Sequence, residues 1–208
     1  MLGKVLIASR FDIPFDIGKL KIELASIPAS AWTPHFNKAC YCGEWSAVPL
    51  LAPKGESHPI RQICSNPGVS AYVETLLLKR CPWFLQLLSQ FNCELLSTRL
   101  LKLGAGSRIL RHRDHELSLE EGVARIHIPL VSDTDVRLRL DDRAYNCLPG
   151  EVWYMNFSLP HEFENNSHVD RVHLVVDCVV NAWLVDTVMA GELYFADLES
   201  QQKEEMIG

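Results

Sequence analysis

The sequence predicts a mainly β protein with a helical front, and three observations carry that reading. From residue 94 onward, short runs alternate apolar and polar residues between the turn clusters GAGS, SLEEG, SDTD, DDR, LPG, SLP and NNSHVD. That is the rhythm of half-buried strands closing into a barrel or sandwich. Ahead of it, SAYVETLLLKRCPWFLQLLSQF carries Val73, Leu76, Leu77, Phe84, Leu87, Leu88 and Phe91 at helical spacing, a stripe that serves a core. The third observation is composition: 208 residues, 48% hydrophobic and 22% charged, which suits one generous globular domain. No repeat or low-complexity linker divides the chain. A single domain over 1–208 is expected, with a mixed α/β front at 1–93, a β core at 94–184 and a C-terminal helix and tail at 185–208.

The elements follow in order. GKVLIAS reads as a first strand, residues 16 to 26 as a helix and GEWSAVPLLA as another strand. A loop rich in Pro, Gly, Ser and His occupies 53–69. Pro82 suits the first turn of a helix, because its missing N–H is unpaired there anyway, so two helices are expected to meet at that point. In DVRLRLDD, Val136, Leu138 and Leu140 share one face while Arg137 and Arg139 share the solvated one. The polar end, ESQQKEEMIG, reads as a frayed tail.

Charge and cysteine usage exclude several classes. The net charge of -6 and the lack of a Lys/Arg stripe argue against a nucleic-acid or anionic-membrane surface. No apolar run reaches the roughly 20 residues of a membrane span, and the start, MLGKVLIASRFDIPFD, turns acidic too soon for a secretory signal. Seven cysteines, an odd number without CxxC spacing, fit reduced thiols and a cytoplasmic location. Cys40 and Cys42 lack the second pair that a tetrahedral metal set needs. A small-molecule or peptide partner is expected, and a homodimer is compatible with the composition.

The chemistry gathers in RILRHRDHELSLEEGVARIHIPL. His112, Asp114, His115, Arg125 and His127 stand there among Ile, Leu and Val, a costly placement unless a salt-bridge lattice or a metal and its anionic ligand compensates. On a strand, alternation puts His112 and Asp114 on one face and His115 on the other. An imidazole and a carboxylate aimed at one centre make two-thirds of the facial triad that holds non-haem Fe(II) with open positions. The best third ligand is His161, in NFSLPHEFEN. His35, His58 and His168 sit in loop-like contexts, and His127 and His173 each follow an arginine by two. In DRVHLVVD, Arg171 and His173 share a face, as Arg125 and His127 do in ARIHIPL. A planar guanidinium stays charged when desolvated and binds a carboxylate bidentately, so these strands point to an anion.

These residues, in ILRHRDHELSLEEGVARIHIPL, GEVWYMNFSLPHEFEN and DRVHLVVD, resemble the aspartyl/asparaginyl β-hydroxylases and the related proline cis-4-hydroxylases, over roughly residues 94 to 184. CGEWSAVPL resembles the segment before the core of the proline hydroxylases. The resemblance implies a cupin-like double-stranded β-helix, or jelly roll, with N-terminal helices packed on it. It implies an Fe(II)/2-oxoglutarate-dependent dioxygenase using O2, with ascorbate as a helpful reductant and succinate and CO2 as co-products. Carried over residue by residue, His112, Asp114 and His161 become iron ligands and Arg171 the clamp for the distal carboxylate of 2-oxoglutarate. Arg125, His127 and His173 fall near the co-substrate, or, for Arg125, near the substrate's carboxylate. Vertebrate members have Gly where this chain keeps Asp114, which favours the bacterial-type full triad. A serine that helps hold the co-substrate in vertebrate members falls at Leu101, with Lys102 or Arg99 as the substitute.

The substrate expected from the resemblance is an amino acid, free or within a peptide or carrier-bound chain. Trp45 in the front segment and Arg61 in the 53–69 loop are the candidate specificity contacts, since loops around a rigid barrel mouth usually carry that role. The competing readings are a non-catalytic cupin-type binding or sensing module and a cupin isomerase or dioxygenase, the latter disfavoured because such sites bring more histidine ligands.

Overall fold

The computed structural model describes residues 4–64, 69 and 71–197. In chain order the elements are β1 (Lys4–Phe11), α1 (Ile17–Ser26), β2 (Thr33–Pro34), β3 (Tyr41–Cys42), β4 (Trp45–Pro53), α2 (Pro59–Ile63), β5 (Tyr72–Glu74), α3 (Pro82–Leu88), β6 (Leu95–Leu103), β7 (Arg108–His112), β8 (Val123–Val131), β9 (Val136–Leu140), β10 (Arg143–Tyr145), β11 (Val152–Met155), β12 (His161–Asn165), β13 (Arg171–Val179), α4 (Ala182–Met189) and β14 (Glu192–Asp197). Among the described residues they form a nine-stranded sheet, ordered β14-β1-β11-β8-β13-β6-β4-β2 with β5 on β4, and a five-stranded sheet, β10-β9-β12-β7-β3. All the pairings are antiparallel. The two sheets face each other as the expected jelly roll.

Alternation divides the large sheet into two faces with separate duties. On its outer face, Leu100 of β6, Ile126, Ile128 and Leu130 of β8, and Leu174 and Val176 of β13 join Leu20 of α1, Phe84 and Leu87 of α3 and Leu184 of α4 in one core. Each such side chain, fully buried, contributes about 1.5–3 kcal/mol. A second core lies between the sheets, where Leu103, Trp153 and Met155 meet Ile109, Leu138 and Phe163. The rest of the inner space is a polar cavity. The turn chemistry follows the sequence: Gly106, Gly122 and Gly150 adopt positive φ, and Asp141 and Asp142 make the left-handed turn between β9 and β10.

Asp16 caps α1, its Oδ1 accepting from the amides of Gly18 and Lys19. The buried Glu23 of α1 reaches α3, accepting from the amides of Trp83 (2.7 Å) and Phe84 (2.9 Å). Those are orphan donors of a helix whose first residue is the expected Pro82.

Three expectations need correction. The apolar spacing around Val73 is not helical, because Tyr72–Glu74 pairs with β4 and only a 3-10 turn at Leu78–Arg80 precedes α3. A three-residue edge strand has too short a span for its period to be read. Residues 1–93 are not a layer packed on a separate core, since β1 lies between β14 and β11 and β4 lies beside β6 in the large sheet. Residues 185–208 are not helix and tail alone, because after α4 the strand β14 returns to pair with β1. The expected tail ESQQKEEMIG and residues 65–68 and 70 of the front lie outside the described residues. Among the described residues no helix is long and apolar enough to cross a membrane.

Candidate metal and anion site

The small sheet supplies the metal-binding candidates. His161 at the start of β12 stands opposite His112 at the end of β7, and their ring centroids are 4.2 Å apart. Both imidazoles are held the same way: the Nδ1 of His112 lies 2.7 Å from the Leu110 carbonyl and that of His161 lies 2.9 Å from the Leu159 carbonyl. A carbonyl can only accept, so each Nδ1 carries the proton and each Nε2 is left with a lone pair. Asp114 follows two residues past the end of β7. Its amide donates to the Phe157 carbonyl at 3.0 Å, and its Oδ1 lies 3.6 Å from His112 Nε2. One ligand atom from each of His112, Asp114 and His161 falls within 4.8 Å of the other two, and this is the group found among the described residues. Cys40 and Cys42 join no such group.

The strand ends at His112, so alternation does not extend to His115 as expected. The chain turns there, with Glu116 at φ 61°, and the exposed His115 reaches the cavity mouth instead of pointing away from it. His112 and Asp114 still converge, through the turn and not through a shared strand face.

The large sheet supplies the cations. Arg125 and His127 of β8 and Arg171, His173 and Asp177 of β13 all project from its inner face, with Arg99 beside them on β6. Arg125 is fully engaged: Nε and Nη2 bond the two oxygens of Asp177 at 2.7 and 3.1 Å, and Nη1 donates to Asp114 Oδ2 at 2.5 Å. Burial pushes the Asp114 carboxyl up, yet Arg125, with His161 and His112 adding to it, outweighs that and holds it below its usual range. Burial pushes the Arg125 guanidinium down, and the two aspartates more than reverse it.

Arg171 is the opposite case. It is 1% exposed, lies 4.4 Å over the Phe163 ring and has Nη2 2.9 Å from His173 Nδ1. Among the described residues no carboxylate pairs with it, its Nε has no partner, and burial lowers its pKa to about 9. His127 and His173, with Nδ1 atoms 3.2 Å apart, are both driven well below the usual imidazole pKa by burial, with Arg171 adding to it. Burial also lowers His161 to about 4, with His112 adding to it.

The two sets face one cavity of about 500 Å³, within the range of small-molecule sites. His112, Asp114, His161, Arg125, His127, Arg171 and Trp45 all line it. His173 stands behind Arg171 and does not. Trp45 stacks on His35 at 3.7 Å between centroids, so the loop-like His35 belongs to the rim. Two expected contacts are elsewhere. Lys102 sits on the opposite face of β6, over Trp32 and 3.8 Å from Asp170, while Arg99 takes the inner face. Arg61 is exposed and bonds Glu56 at 2.7 Å. Asp177 escaped the sequence reading, although the alternation that links Arg171 to His173 reaches it two steps later.

Comparison with known proteins bears on the family and the fold. A family model described as Aspartyl/Asparaginyl beta-hydroxylase matches residues 24–180. The L-proline cis-4-hydroxylase of Rhizobium meliloti (strain 1021) is 25% identical over 173 residues, 82% of this chain and 60% of the relative. The match thus spans about 60% of that relative's length. Among solved structures, a 2OG-Fe(II) oxygenase family oxidoreductase from Burkholderia pseudomallei aligns with a TM-score of 0.52 at 12% identity, over 87% of this chain and 89% of that one. A Pseudomonas putida prolyl-4-hydroxylase aligns with a TM-score of 0.50 at 14% identity, over 86% of this chain and 94% of that one. Such low identities speak for the fold, and the match over residues 24–180 settles membership: the chain belongs to the aspartyl/asparaginyl β-hydroxylase family.

Proposed function

We propose that this protein is an Fe(II)/2-oxoglutarate-dependent hydroxylase acting on an unactivated C–H bond of an amino acid, free or within a peptide or carrier-bound chain. The observation that carries the reading is Arg171, a buried guanidinium that has no carboxylate partner among the described residues and shares a cavity with a His-Asp-His group. A desolvated cation of this kind requires an anion.

The residues fit the groups. Two imidazole Nε2 atoms and a carboxylate oxygen on one side of a point are the donor set of a non-haem Fe(II) site with open positions. His112, Asp114 and His161 would hold the metal. The Leu110 and Leu159 carbonyls fix the two rings, and Arg125 fixes the carboxylate, which is the outer-shell support that such ligands need. Arg171 would take the distal carboxylate of 2-oxoglutarate, held in place by His173 and Phe163. His127, kept neutral, faces the same end of the cavity. Lys102 has no part in this reading. When bound together, Fe(II), 2-oxoglutarate and O2 supply the oxidising power for C–H hydroxylation, with succinate and CO2 as co-products. The protein orients the reacting groups, and the Phe157 and Phe163 rings limit water. Seven thiols, all unpaired, suit a reducing cytosolic setting, where ferrous iron is kept available.

The test is incubation of the purified chain with Fe(II), 2-oxoglutarate, ascorbate and a panel of amino acids and peptides. L-proline comes first, because the R. meliloti relative is named for it. Succinate that depends on iron and on the substrate, with a substrate mass gain of one oxygen, supports the reading. A non-catalytic binding module would bind the ligands and release no succinate.

A further inference from the structure

We infer that Arg99 is the receptor for a free carboxylate of the amino-acid substrate, and that Asp177 is the residue that positions it. The inference rests on the proposed function and adds a substrate class to it: an amino acid with its carboxylate unblocked.

Position comes first. On β6, Leu103 stands opposite Arg171 and Arg99 stands opposite Val175. The four intervening steps place Arg99 roughly 13 Å farther along the sheet than the level of Arg171, at about 3.3 Å per residue. A five-carbon dicarboxylate has four C–C bonds of about 1.5 Å, so its carbons span no more than roughly 6 Å. A co-substrate anchored at Arg171 therefore ends well short of Arg99. Arg99 lines the cavity together with Ala47, Ile63, Cys64 and the His35–Trp45 stack, and its charge acts on Cys64 and His35; this is the end left for the second reactant.

Valence comes next. Arg99 is 6% exposed. Among the described residues all its hydrogen bonds run through Nη1, to the Ser97 hydroxyl at 2.7 Å, the Ser97 carbonyl at 3.5 Å and Asp177 Oδ2 at 3.0 Å. Nε and Nη2 remain for the cavity that Arg99 lines. Arg125, expected to meet the substrate's carboxylate, has its three nitrogens on Asp177 and Asp114. Asp177 is shared between the two arginines. With Asp114 committed to a metal, the pair carries one positive charge more than Asp177 cancels, which matches one carboxylate. A guanidinium offering two adjacent N–H groups binds a carboxylate bidentately and discriminates against an amide, which brings no charge.

The test uses the full chain loaded with Mn(II) in place of iron and with saturating 2-oxoglutarate. It is titrated calorimetrically with a panel of free L-amino acids and with their primary amides. At least one acid is expected to bind, its amide about 30-fold or more weaker, since a charge-assisted pair is about twice as strong as a neutral one. Arg99→Gln is expected to weaken that acid about 100-fold and erase the preference over the amide, and Arg99→Lys to restore part of it, while 2-oxoglutarate affinity changes less than about threefold. Asp177→Asn is expected to weaken the acid without erasing the preference. An amide that binds wild type as tightly as its acid overturns the inference. So does a preference that survives Arg99→Gln, or a wild type that takes up Mn(II) and 2-oxoglutarate but no panel acid. If wild type takes up neither Mn(II) nor 2-oxoglutarate, the proposed function falls, and this inference falls with it.

Discussion

Arg125 Nη1 donates to Asp114 Oδ2 at 2.5 Å while Asp114 Oδ1 faces His112 Nε2 at 3.6 Å. One carboxylate therefore joins the cation cluster of the large sheet to the imidazole pair of the small one. In the proposed site Arg125 sets which oxygen faces the metal position and keeps it ionised.

From that link, Arg125→Gln is expected to weaken metal binding about 10- to 100-fold, the usual cost of losing an outer-shell partner. His112→Ala, Asp114→Ala and His161→Ala each remove a proposed ligand and are expected to abolish it. Competition titrations with Mn(II) and a chelator measure all four. Equal affinity in wild type and Arg125→Gln contradicts the role given to Arg125.

Arg171 predicts opposite effects on stability and on co-substrate use. Arg171→Met replaces a buried charge without a carboxylate partner by an apolar chain of similar length, and is expected to stabilise the ligand-free protein by about 0.5–2 kcal/mol. It also removes the proposed distal carboxylate contact, so the 2-oxoglutarate concentration for half-maximal turnover is expected to rise about 100-fold or more. Urea unfolding without ligand and succinate assays check the two arms separately. A destabilised variant shows that the His173 and Phe163 contacts outweigh the cost of burying the charge.

The buried histidines set a pH dependence. His127 and His173 are 3% and 2% exposed, and their folded pKa values lie well below 6.5. Above about pH 6.5 neither the folded nor the unfolded chain protonates them, so they do not alter stability. As pH falls below that value the unfolded chain takes up protons that the folded chain refuses. Stability then drops by up to about 1.4 kcal/mol per pH unit for each histidine. His161, lowered to about 4, follows the same sign until pH nears 4. Unfolding free energies at pH 7.5, 6.5 and 5.5 test this, with a flat profile as the contrary outcome.

Glu23→Ala leaves the amides of Trp83 and Phe84 without their acceptor and is expected to cost about 1–3 kcal/mol. Metal affinity should not change, because α1 and α3 pack on the outer face of the large sheet. Thermal unfolding combined with Mn(II) titration separates the two effects.

Much of the site was legible because strand alternation carries side-chain direction. Arg125 with His127, and Arg171 with His173, could be assigned a common face from spacing alone, and Ile126, Ile128 and Leu174 went to the opposite core. Alternation carries no direction past the end of a strand. Extending β7 beyond His112 points His115 outward, and the turn at Glu116 undoes that. Lys102 and Arg99 differ by three positions, so only one can share a face with Leu101, and the register that decides it comes from β4 and β13, far away in the chain. Arg61 was a plausible loop cation until Glu56, five residues before it, took the charge. The membership of β1 and β14 in the large sheet rests on pairings between the chain's two ends, which local patterning does not carry.

The most direct test of the account is an anaerobic titration of the chain with Fe(II) and then 2-oxoglutarate, following the visible absorption of an Fe(II)–2-oxo acid chelate. The account predicts this band in wild type, its absence in His161→Ala, and its appearance in Arg171→Ala only at about 100-fold more 2-oxoglutarate. A band of wild-type strength in His161→Ala, at the same concentrations, contradicts it.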